Sequence, residues 1–449
     1  MAAHPTVPTV HGPVRGACRR ADGVRSFRFL GIPYAAPPVG ALRFAPPVAP
    51  APWTGPLDAT VYGPTAQRRG LGEGATIPEP SVPGDAVLNL NVFTPDPGPG
   101  AALPVLVWIH GGGFTAGSAA SPWYDGAAFN RDGVVLVSLG YRLGIEGFLP
   151  LDDAPDNRGV RDWIAALEWV RDNIAAFGGD PAKVTVAGQS AGGGAVQTLL
   201  VTPAARGLFR AAISMSAPLM EPQDRWTGPA VAELFTRRTG VPATAAALRG
   251  LSDDRLHALQ EAVDAPGPDR AHLPGRLFQP RADGELIPRP VLAELTEGEL
   301  GADVPLLLGF TRHEFHAFGG QELTDLVFRR PNLAVAEARA ARGRPTWLYE
   351  FGWPSPAPGG RRGQAFHCLD LPFAFDVLGA EGVTAAAGEA PPQHLADAVH
   401  GALTAFVRGL DPGGVWPRYT RGRRATRLWE EEPALVTDPF RAERARWFG

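Results

Sequence analysis

The chain has 449 residues, with 46 acidic and 42 basic side chains and a formal net charge of −4 at pH 7. This length suits a large α/β enzyme, and the 45% of hydrophobic residues can fill a sizeable core. The slight acidic excess, without a long basic run, argues against a nucleic-acid partner.

The number of cysteines and the lengths of the apolar runs indicate the cellular compartment to expect. Cys18 and Cys368 are too few for a disulfide framework or a thiolate metal cluster. Residues 1–16 contain neither an early basic segment nor an apolar core of signal-peptide length. No apolar run reaches the ~20 residues that a membrane helix requires. We therefore expect a cytoplasmic protein without a membrane partner.

In chain order, the first distinctive segment is proline-rich, residues 34–53, and it predicts extended surface chain rather than a linker between domains. Further along, short runs rich in β-branched and apolar residues predict buried strands. These runs are Leu103–His110, Gly133–Arg142, Lys183–Ser190, Phe209–Ser216, Val304–Phe310 and Thr346–Gly352.

An amphipathic helix is predicted between the second and third of these strands, from Gly159 to Phe177. Val160 and Ile164 keep helical spacing, Asn157 is the expected N-cap, and Gly178 is the expected stop. Alternation of strands and helices predicts a mostly parallel sheet with helices on both faces. Residues from about 220 to 300 predict short helices and loops, as an insertion or cap over the sheet.

The sequence GQSAG, residues 188–192, matches the G-x-S-x-G pattern between a predicted strand and a predicted helix. Glycine costs a helix about 1 kcal/mol relative to alanine, so glycines here need another reason. In a nucleophile elbow the turn is so tight that Gly188 and Gly192 must lack bulk, and the Ser190 hydroxyl stands exposed above the sheet. This context favours a nucleophilic Ser190 over a glycine-rich packing contact.

A nucleophilic serine requires amide donors for the developing oxyanion. The sequence WIHGGGF, residues 108–114, directly follows the first central strand, and its glycines let backbone amides point into a cavity. We assign the donors to Gly112 and Gly113, with a third from Ala191 at the start of the next helix. A flexible turn is the alternative role of this glycine run.

In hydrolases with a G-x-S-x-G elbow, the acid follows the serine along the chain and the histidine base follows the acid. The candidate bases are His313, His316, His367, His394 and His400. His394 and His400 lie in a helix-like run, where packing or surface roles are more common, whereas His367 lies in a loop after a predicted strand. The loop after the strand VPLLLGF supplies Glu314 as the acid. Asp370, three residues past the base, is the alternative acid.

Taken together, the motifs resemble the type-B carboxylesterase family, in particular its bacterial para-nitrobenzyl-esterase branch related to cholinesterases. The resemblance spans nearly the whole chain and rests on FLGIPYAAPPVGALRF, VWIHGGGF, YRLGIEGFL, LEWVRDNIAAFGGDPAKVTVAGQSAGG, LLLGFTRHEF and AFHCLDLPFAF. It implies one α/β-hydrolase domain over residues 1–449, with a mostly parallel sheet, flanking helices and a helical insertion. It also implies a Ser190–Glu314–His367 triad and an oxyanion hole from Gly112, Gly113 and Ala191. Ser216 matches a family serine near the triad, for which a supporting hydrogen bond and a purely structural buried hydroxyl are the two alternatives.

The sequence departs from the family pattern near the site. Gln189 stands where the family usually has Glu before the nucleophile, which predicts no preference for cationic substrates. His313 and Phe315 flank Glu314 where Asp and Gly are usual. His367 follows Glu314 by 53 positions, a shorter separation than is usual in the family. Residues 63–85 contain no aromatic side chain, so the aromatic choline-binding loop of cholinesterases has no counterpart.

These features predict a serine carboxylesterase that hydrolyses small carboxylic esters through an acyl-enzyme intermediate, with no cofactor and no metal. Cys368 is expected to be a packing residue despite its place beside His367. A catalytically silent binding protein of the same fold is the alternative from another class. A transacylase or an amidase that uses the same triad is the nearer enzymatic alternative.

Overall fold

The centre of the structure is a large mixed sheet covered by helices on both faces. The structure is a computed structural model that describes residues 4–21, 24–66, 70, 76–218, 224, 226–414 and 416–449. Residues 67–69 and 71–75, which belong to the segment compared with the choline-binding loop, lie outside the described residues. Residues 219–223 and 225, around the start of the predicted insertion, lie outside them too.

The described residues contain fourteen strands, eleven of them in the main sheet. The strands are β1 (Thr6–Pro8), β2 (Pro13–Arg15), β3 (Ala17–Ala21), β4 (Val24–Pro33), β5 (Leu57–Asp58), β6 (Asn89–Thr94), β7 (Leu103–Ile109), β8 (Val135–Leu139), β9 (Gly179–Gln189), β10 (Ala211–Met215), β11 (Leu306–Thr311), β12 (Thr346–Phe351), β13 (Ala425–Trp429) and β14 (Ala434–Thr437).

The α-helices of the described residues follow in the same chain order. They are α1 (Ala127–Arg131), α2 (Gly144–Phe148), α3 (Arg158–Asn173), α4 (Ala191–Leu200), α5 (Thr227–Thr239), α6 (Ala245–Leu248), α7 (Asp253–Asp264), α8 (Val291–Glu297), α9 (His316–Thr324), α10 (Arg330–Ala341), α11 (Leu371–Ala374), α12 (Val383–Ala387), α13 (Gln393–Gly409) and α14 (Arg441–Phe448). No helix in the described ranges is both long enough and apolar enough to cross a membrane.

Strand order in the main sheet is β14-β13-β12-β11-β10-β9-β7-β8-β6-β4-β3. The pairs from β13 through β8 are parallel, whereas β14 at one edge and β6, β4 and β3 at the other pair antiparallel. Every residue of β8, β10, β11 and β12 is buried. Such strands are near-continuously apolar because helices cover both faces of the sheet. The predicted α/β architecture is confirmed, and all six predicted strands are present with shifted ends.

The predicted amphipathic helix is present as α3, followed by a 3-10 turn over Ile174–Phe177. Gly178 has φ +85° and ends it, as expected. The predicted capping role of Asn157 is wrong. Asn157 has φ +55° rather than the extended backbone of an N-cap, and its side chain makes no cap hydrogen bond. Instead the side-chain amide nitrogen of Asn157 donates to the carbonyl oxygen of Arg281 (2.9 Å) and to the Asp283 carboxylate (2.8 Å).

The segment predicted as a helical insertion contains helices α5 to α8 between 227 and 297. The apolar side chains of these helices, among them Phe235 and Leu259, join the main core. Its assignment as an insertion within one domain stays a prediction. The proline-rich segment 34–53 contains only a 3-10 turn, Gly40–Leu42, and much of it is exposed. It is held to the core by the buried rings of Tyr34 and Phe44.

Candidate active site

Ser190 occupies the turn between β9 and α4, at the carboxyl edge of the parallel strands. Its backbone has φ +58° and ψ −126°, a conformation that side-chain-bearing residues rarely adopt. The Ser190 amide donates to the carbonyl oxygen of Met215 at the end of β10 (2.9 Å), which holds this turn against the neighbouring strand. The strained turn presents the hydroxyl above the sheet, as the G-x-S-x-G pattern predicts.

Close packing around this turn explains its glycines. A Cβ at Gly192 would collide with the carbonyl oxygen of Ile109, and one at Gly188 would collide with the backbone of Gly192. A Cβ at Gly193 would lie 2.6 Å from the carbonyl oxygen of Met215. Strands β7 and β10 therefore approach the elbow so closely that the first turn of α4 accepts no side chains at these positions.

Three side chains from distant parts of the chain meet at the elbow. The Ser190 hydroxyl lies 2.8 Å from His367 Nε2, and His367 Nδ1 hydrogen-bonds to the Glu314 carboxylate. The second oxygen of Glu314 accepts from the amide of Thr311 (2.8 Å), and the His367 amide donates to the carbonyl oxygen of Glu314 (3.2 Å). Glu314 is only 2% exposed. The nucleophile, base and acid predicted from the sequence are thus in mutual contact.

Burial and neighbouring groups shift the pKa of His367 in opposite directions. Burial by itself lowers the pKa of His367, but Coulombic interactions with Cys368 and Glu314 outweigh it and raise the pKa above its ordinary value. Glu314 therefore both orients the ring and favours its protonated form, which a general base must adopt after it accepts a proton.

The alternative acid and the other candidate bases have different partners. The Asp370 carboxylate accepts from the Tyr349 hydroxyl (3.1 Å), and burial followed by the nearby Glu314 raises its pKa to about 7. His400 Nδ1 hydrogen-bonds to the carbonyl oxygen of Ala374 (2.9 Å). His394 Nε2 hydrogen-bonds to the carbonyl oxygen of Glu431 (2.7 Å).

The glycine loop after β7 leaves amide donors available. Gly112 and Gly113 have φ +107° and +63°, and the Gly112 carbonyl accepts from Thr115 (3.1 Å) and Ala116 (2.9 Å). Within the described residues, no protein group accepts from the amides of Gly112, Gly113 or Ala191. A Cβ at Gly111 would lie 3.1 Å from Ser190 Cβ, so the loop passes directly beside Ser190.

Gln189 and Ser216 are both fully buried. The Gln189 side-chain amide nitrogen lies 3.4 Å from His367 Nε2. Ser216 is fully buried with φ +47°, and within the described ranges its hydroxyl has no hydrogen-bond partner. The supporting role of Ser216 stays a prediction.

A model of the carboxylesterase family matches residues 3–323 of this chain, more than half of its length. The chain belongs to the carboxylesterase family. Its reaction is the hydrolysis of carboxylic esters, as in the family relatives. The predicted family resemblance is confirmed.

Two relatives align with this chain over nearly its whole length. The para-nitrobenzyl esterase of Bacillus subtilis (strain 168) is 33% identical, covering 99% of each chain, and the phenmedipham hydrolase of Pseudarthrobacter oxydans is 32% identical, covering 97% of each. The first alignment extends over 504 residues, more than the 449 of this chain, so the relative contains segments that this family member lacks.

Solved structures of the family confirm the α/β-hydrolase fold. A para-nitrobenzyl esterase structure superimposes with a TM-score of 0.88 at 32% identity, covering all of both chains. A carboxylesterase of Geobacillus stearothermophilus superimposes with a TM-score of 0.83 at 32% identity, covering 98% of this chain and 99% of the other.

The two departures from the family pattern beside Glu314 have structural roles that sequence reasoning missed. The His313 amide donates to the Ala365 carbonyl, and His313 Nδ1 accepts from the Ala365 amide, both at 3.0 Å. Phe315 packs edge-on against His367 with ring centroids 5.0 Å apart, and Phe328 lies at the same distance. His313 therefore anchors the loop that carries His367, and two phenyl rings restrict the His367 imidazole. Only the unusual residue types beside Glu314 hinted at this.

Proposed function

We propose that this family member is a serine esterase in which Ser190 is the nucleophile, His367 the general base and Glu314 the orienting acid. The observation that carries the proposal is the continuous contact from the Ser190 hydroxyl through the two ring nitrogens of His367 to the Glu314 carboxylate. Its substrates are small carboxylic esters, and the reaction requires no cofactor and no metal.

The chemistry follows from the positions of these atoms. The Ser190 hydroxyl attacks the ester carbonyl carbon while His367 Nε2 accepts its proton, and the resulting imidazolium faces Glu314. Amides of Gly112, Gly113 and Ala191 donate to the oxyanion of the tetrahedral intermediate. His367 then returns the proton to the departing alcohol. Water, activated by the same imidazole, attacks the acyl-serine and releases the carboxylic acid.

The proposed setting is the cytoplasm, where thiols stay reduced. Both cysteines are free, with Cys18 partly exposed and Cys368 buried in the core. Neither a membrane nor a nucleic acid is a proposed partner.

The test is hydrolysis of a short-chain para-nitrophenyl ester by metal-free protein. We expect turnover in the wild type and none above background in Ser190→Ala, because the attacking oxygen is gone. Cys368→Ala is the comparison variant, since Cys368 is the nucleophilic side chain next to His367 in sequence, and we expect it to be a core packing residue that affects only the pKa of His367. We expect this variant to keep most of its turnover. Activity that persists in Ser190→Ala but disappears in Cys368→Ala would contradict the assigned nucleophile.

A further inference from the structure

A pocket of about 360 Å³ borders the glycine loop after β7. Its lining includes Gly113, Phe315 and residues of the segment that follows α7. Gly113 is one of the proposed oxyanion donors, and the ring of Phe315 contacts His367. A substituent of the ester that enters this pocket therefore lies next to the reacting carbonyl.

The pocket carries a net positive charge. Its charged lining residues are Arg270, Arg276 and Asp264. Arg270 is engaged with the backbone, because it donates to the carbonyl oxygens of Asp264 (2.6 Å) and Gly275 (2.9 Å). It also lies 3.9 Å from the Asp264 carboxylate. Arg270 therefore shapes the loop and offsets the charge of Asp264.

Arg276 differs from Arg270 because its donors are largely free. Its Nη1 donates to the carbonyl oxygen of Gly113 over a long 3.5 Å. Within the described part of the chain Arg276 forms no ion pair with a carboxylate, although a guanidinium has five N–H donors. Burial lowers the pKa of Arg276, and the Coulombic interaction with Asp264 offsets this only in part. The cation is thus half-buried and has no directly paired carboxylate among the described residues.

The glycine loop after β7 lies close to this guanidinium. Gly113 has φ +63°, and a Cβ there would contact the Arg276 head group, so a side chain at this position would require the guanidinium to move. Gln189, the residue before Ser190, is a neutral amide that does not repel an anion.

From these contacts we propose that Arg276 and its pocket form a subsite for an anionic group of the substrate, a carboxylate attached to the ester. The guanidinium fork binds a carboxylate through two parallel N–H···O bonds. This inference rests on the proposed esterase function and names its preferred substrate class, the carboxylate-bearing esters.

The carboxylate can belong to the acyl part or to the alcohol part, and two matched substrate pairs distinguish them. The acyl pair is mono(4-nitrophenyl) adipate and its neutral terminal amide. The alcohol pair is 4-acetoxybenzoate and 4-acetoxybenzamide. In at least one pair we expect wild-type kcat/KM for the anionic member to exceed that for the neutral member by about tenfold, as expected for one charge-assisted contact.

The variants test whether Arg276 causes that preference. Arg276→Gln should reduce the anionic-to-neutral ratio to near one, and Arg276→Lys should restore part of it, since lysine keeps the charge but not the fork. Arg206→Gln, at an exposed arginine outside this pocket, makes the same change in net charge and should keep the wild-type ratio.

Failure of this inference differs from failure of the proposed function. Ser190-dependent hydrolysis with equal rates in both pairs overturns the anion subsite alone, as does an Arg276→Gln variant that loses both members of a pair equally. Absence of any Ser190-dependent hydrolysis overturns the esterase proposal. In that case calorimetric titration of Ser190→Ala protein with the same pairs still decides the subsite. Tighter, Arg276-dependent binding of an anionic member supports it, and equal binding overturns it.

Discussion

Glu314 uses its two carboxylate oxygens differently, one for the Thr311 amide and one for His367 Nδ1. The first contact fixes the carboxylate to the end of β11, and the second aims the imidazole at Ser190. Asp370 lies close in sequence to the base, but its carboxylate is turned to Tyr349. Proximity in sequence is therefore a poor guide to which acid orients the ring.

We expect Glu314→Gln to fold normally and to lose kcat by roughly 10⁴-fold, the scale seen when the acid of a serine-hydrolase triad is neutralised. Because Glu314 raises the pKa of His367, its removal should lower that pKa. Neutral His367 is the active form, so the acid limb of the kcat/KM profile should move to lower pH while the plateau falls. A pH–rate series measures both effects.

The control for this prediction is Asp370→Asn, in which the Tyr349 hydroxyl keeps a hydrogen-bond acceptor. We expect a far smaller loss of kcat than in Glu314→Gln. Near-normal turnover in Glu314→Gln together with a large loss in Asp370→Asn would assign the acid to Asp370 instead.

At the level of elements, the unit that matters most is the β9–α4 elbow. It places the first turn of α4 against β7 and β10 so closely that backbone carbonyl oxygens occupy the space of side chains. Helix α4 thus begins with residues that weaken an isolated helix, and it is held by its buried contacts with the sheet. Close packing around Ser190 therefore outweighs the low helix propensity of these glycines.

A pair of glycine substitutions tests this reasoning. Gly192→Ala forces a Cβ into the Ile109 carbonyl, and we expect a destabilisation of about 1–3 kcal/mol with a large loss of activity. Gly401→Ala lies inside α13, where a Cβ meets open space, and should stabilise by about 0.5–1 kcal/mol. Denaturant unfolding measures both. Equal tolerance at the two positions would show that the elbow is looser than its packing indicates.

Across the whole molecule, a buried ion pair joins segments that are distant in sequence. Arg142, just after β8, binds both carboxylate oxygens of Asp162 in α3, and both side chains are almost fully buried. The same guanidinium donates to the carbonyl oxygen of Ala45 in the proline-rich segment (2.6 Å). One arginine therefore ties the sheet, a flanking helix and the N-terminal segment together.

Asp162→Asn should be strongly destabilising, by about 3–5 kcal/mol, because it leaves the Arg142 cation buried without its counter-charge. Asp172→Asn is the matched control on the same helix, since Asp172 pairs with Arg171 where both side chains are exposed. It should change stability by less than about 1 kcal/mol. Thermal unfolding of the two variants gives the comparison, and similar melting temperatures would argue against the buried pair as a structural tie.

Short-range pattern determined much of this protein. Apolar runs predicted the strands because burial on both faces demands continuous apolar sequence, and helical spacing predicted α3 because one of its faces packs on the sheet. The elbow and the glycine loop were predictable because steric requirements restrict those positions to a few residue types. Ser190, Glu314 and His367 followed from motif and chain order, and the structure brings them into contact.

Tertiary structure alone decided the contacts between segments far apart in the chain. Asn157 had the sequence signature of a cap, but the loop at 281–283 offered its side chain better partners. The ring of Phe328 against His367 and the guanidinium of Arg276 beside Gly113 carry no local signal. Periodicity and turn chemistry act over a few residues, whereas such contacts depend on how whole elements pack. The sequence by itself therefore determined the reaction, and packing decided what surrounds it.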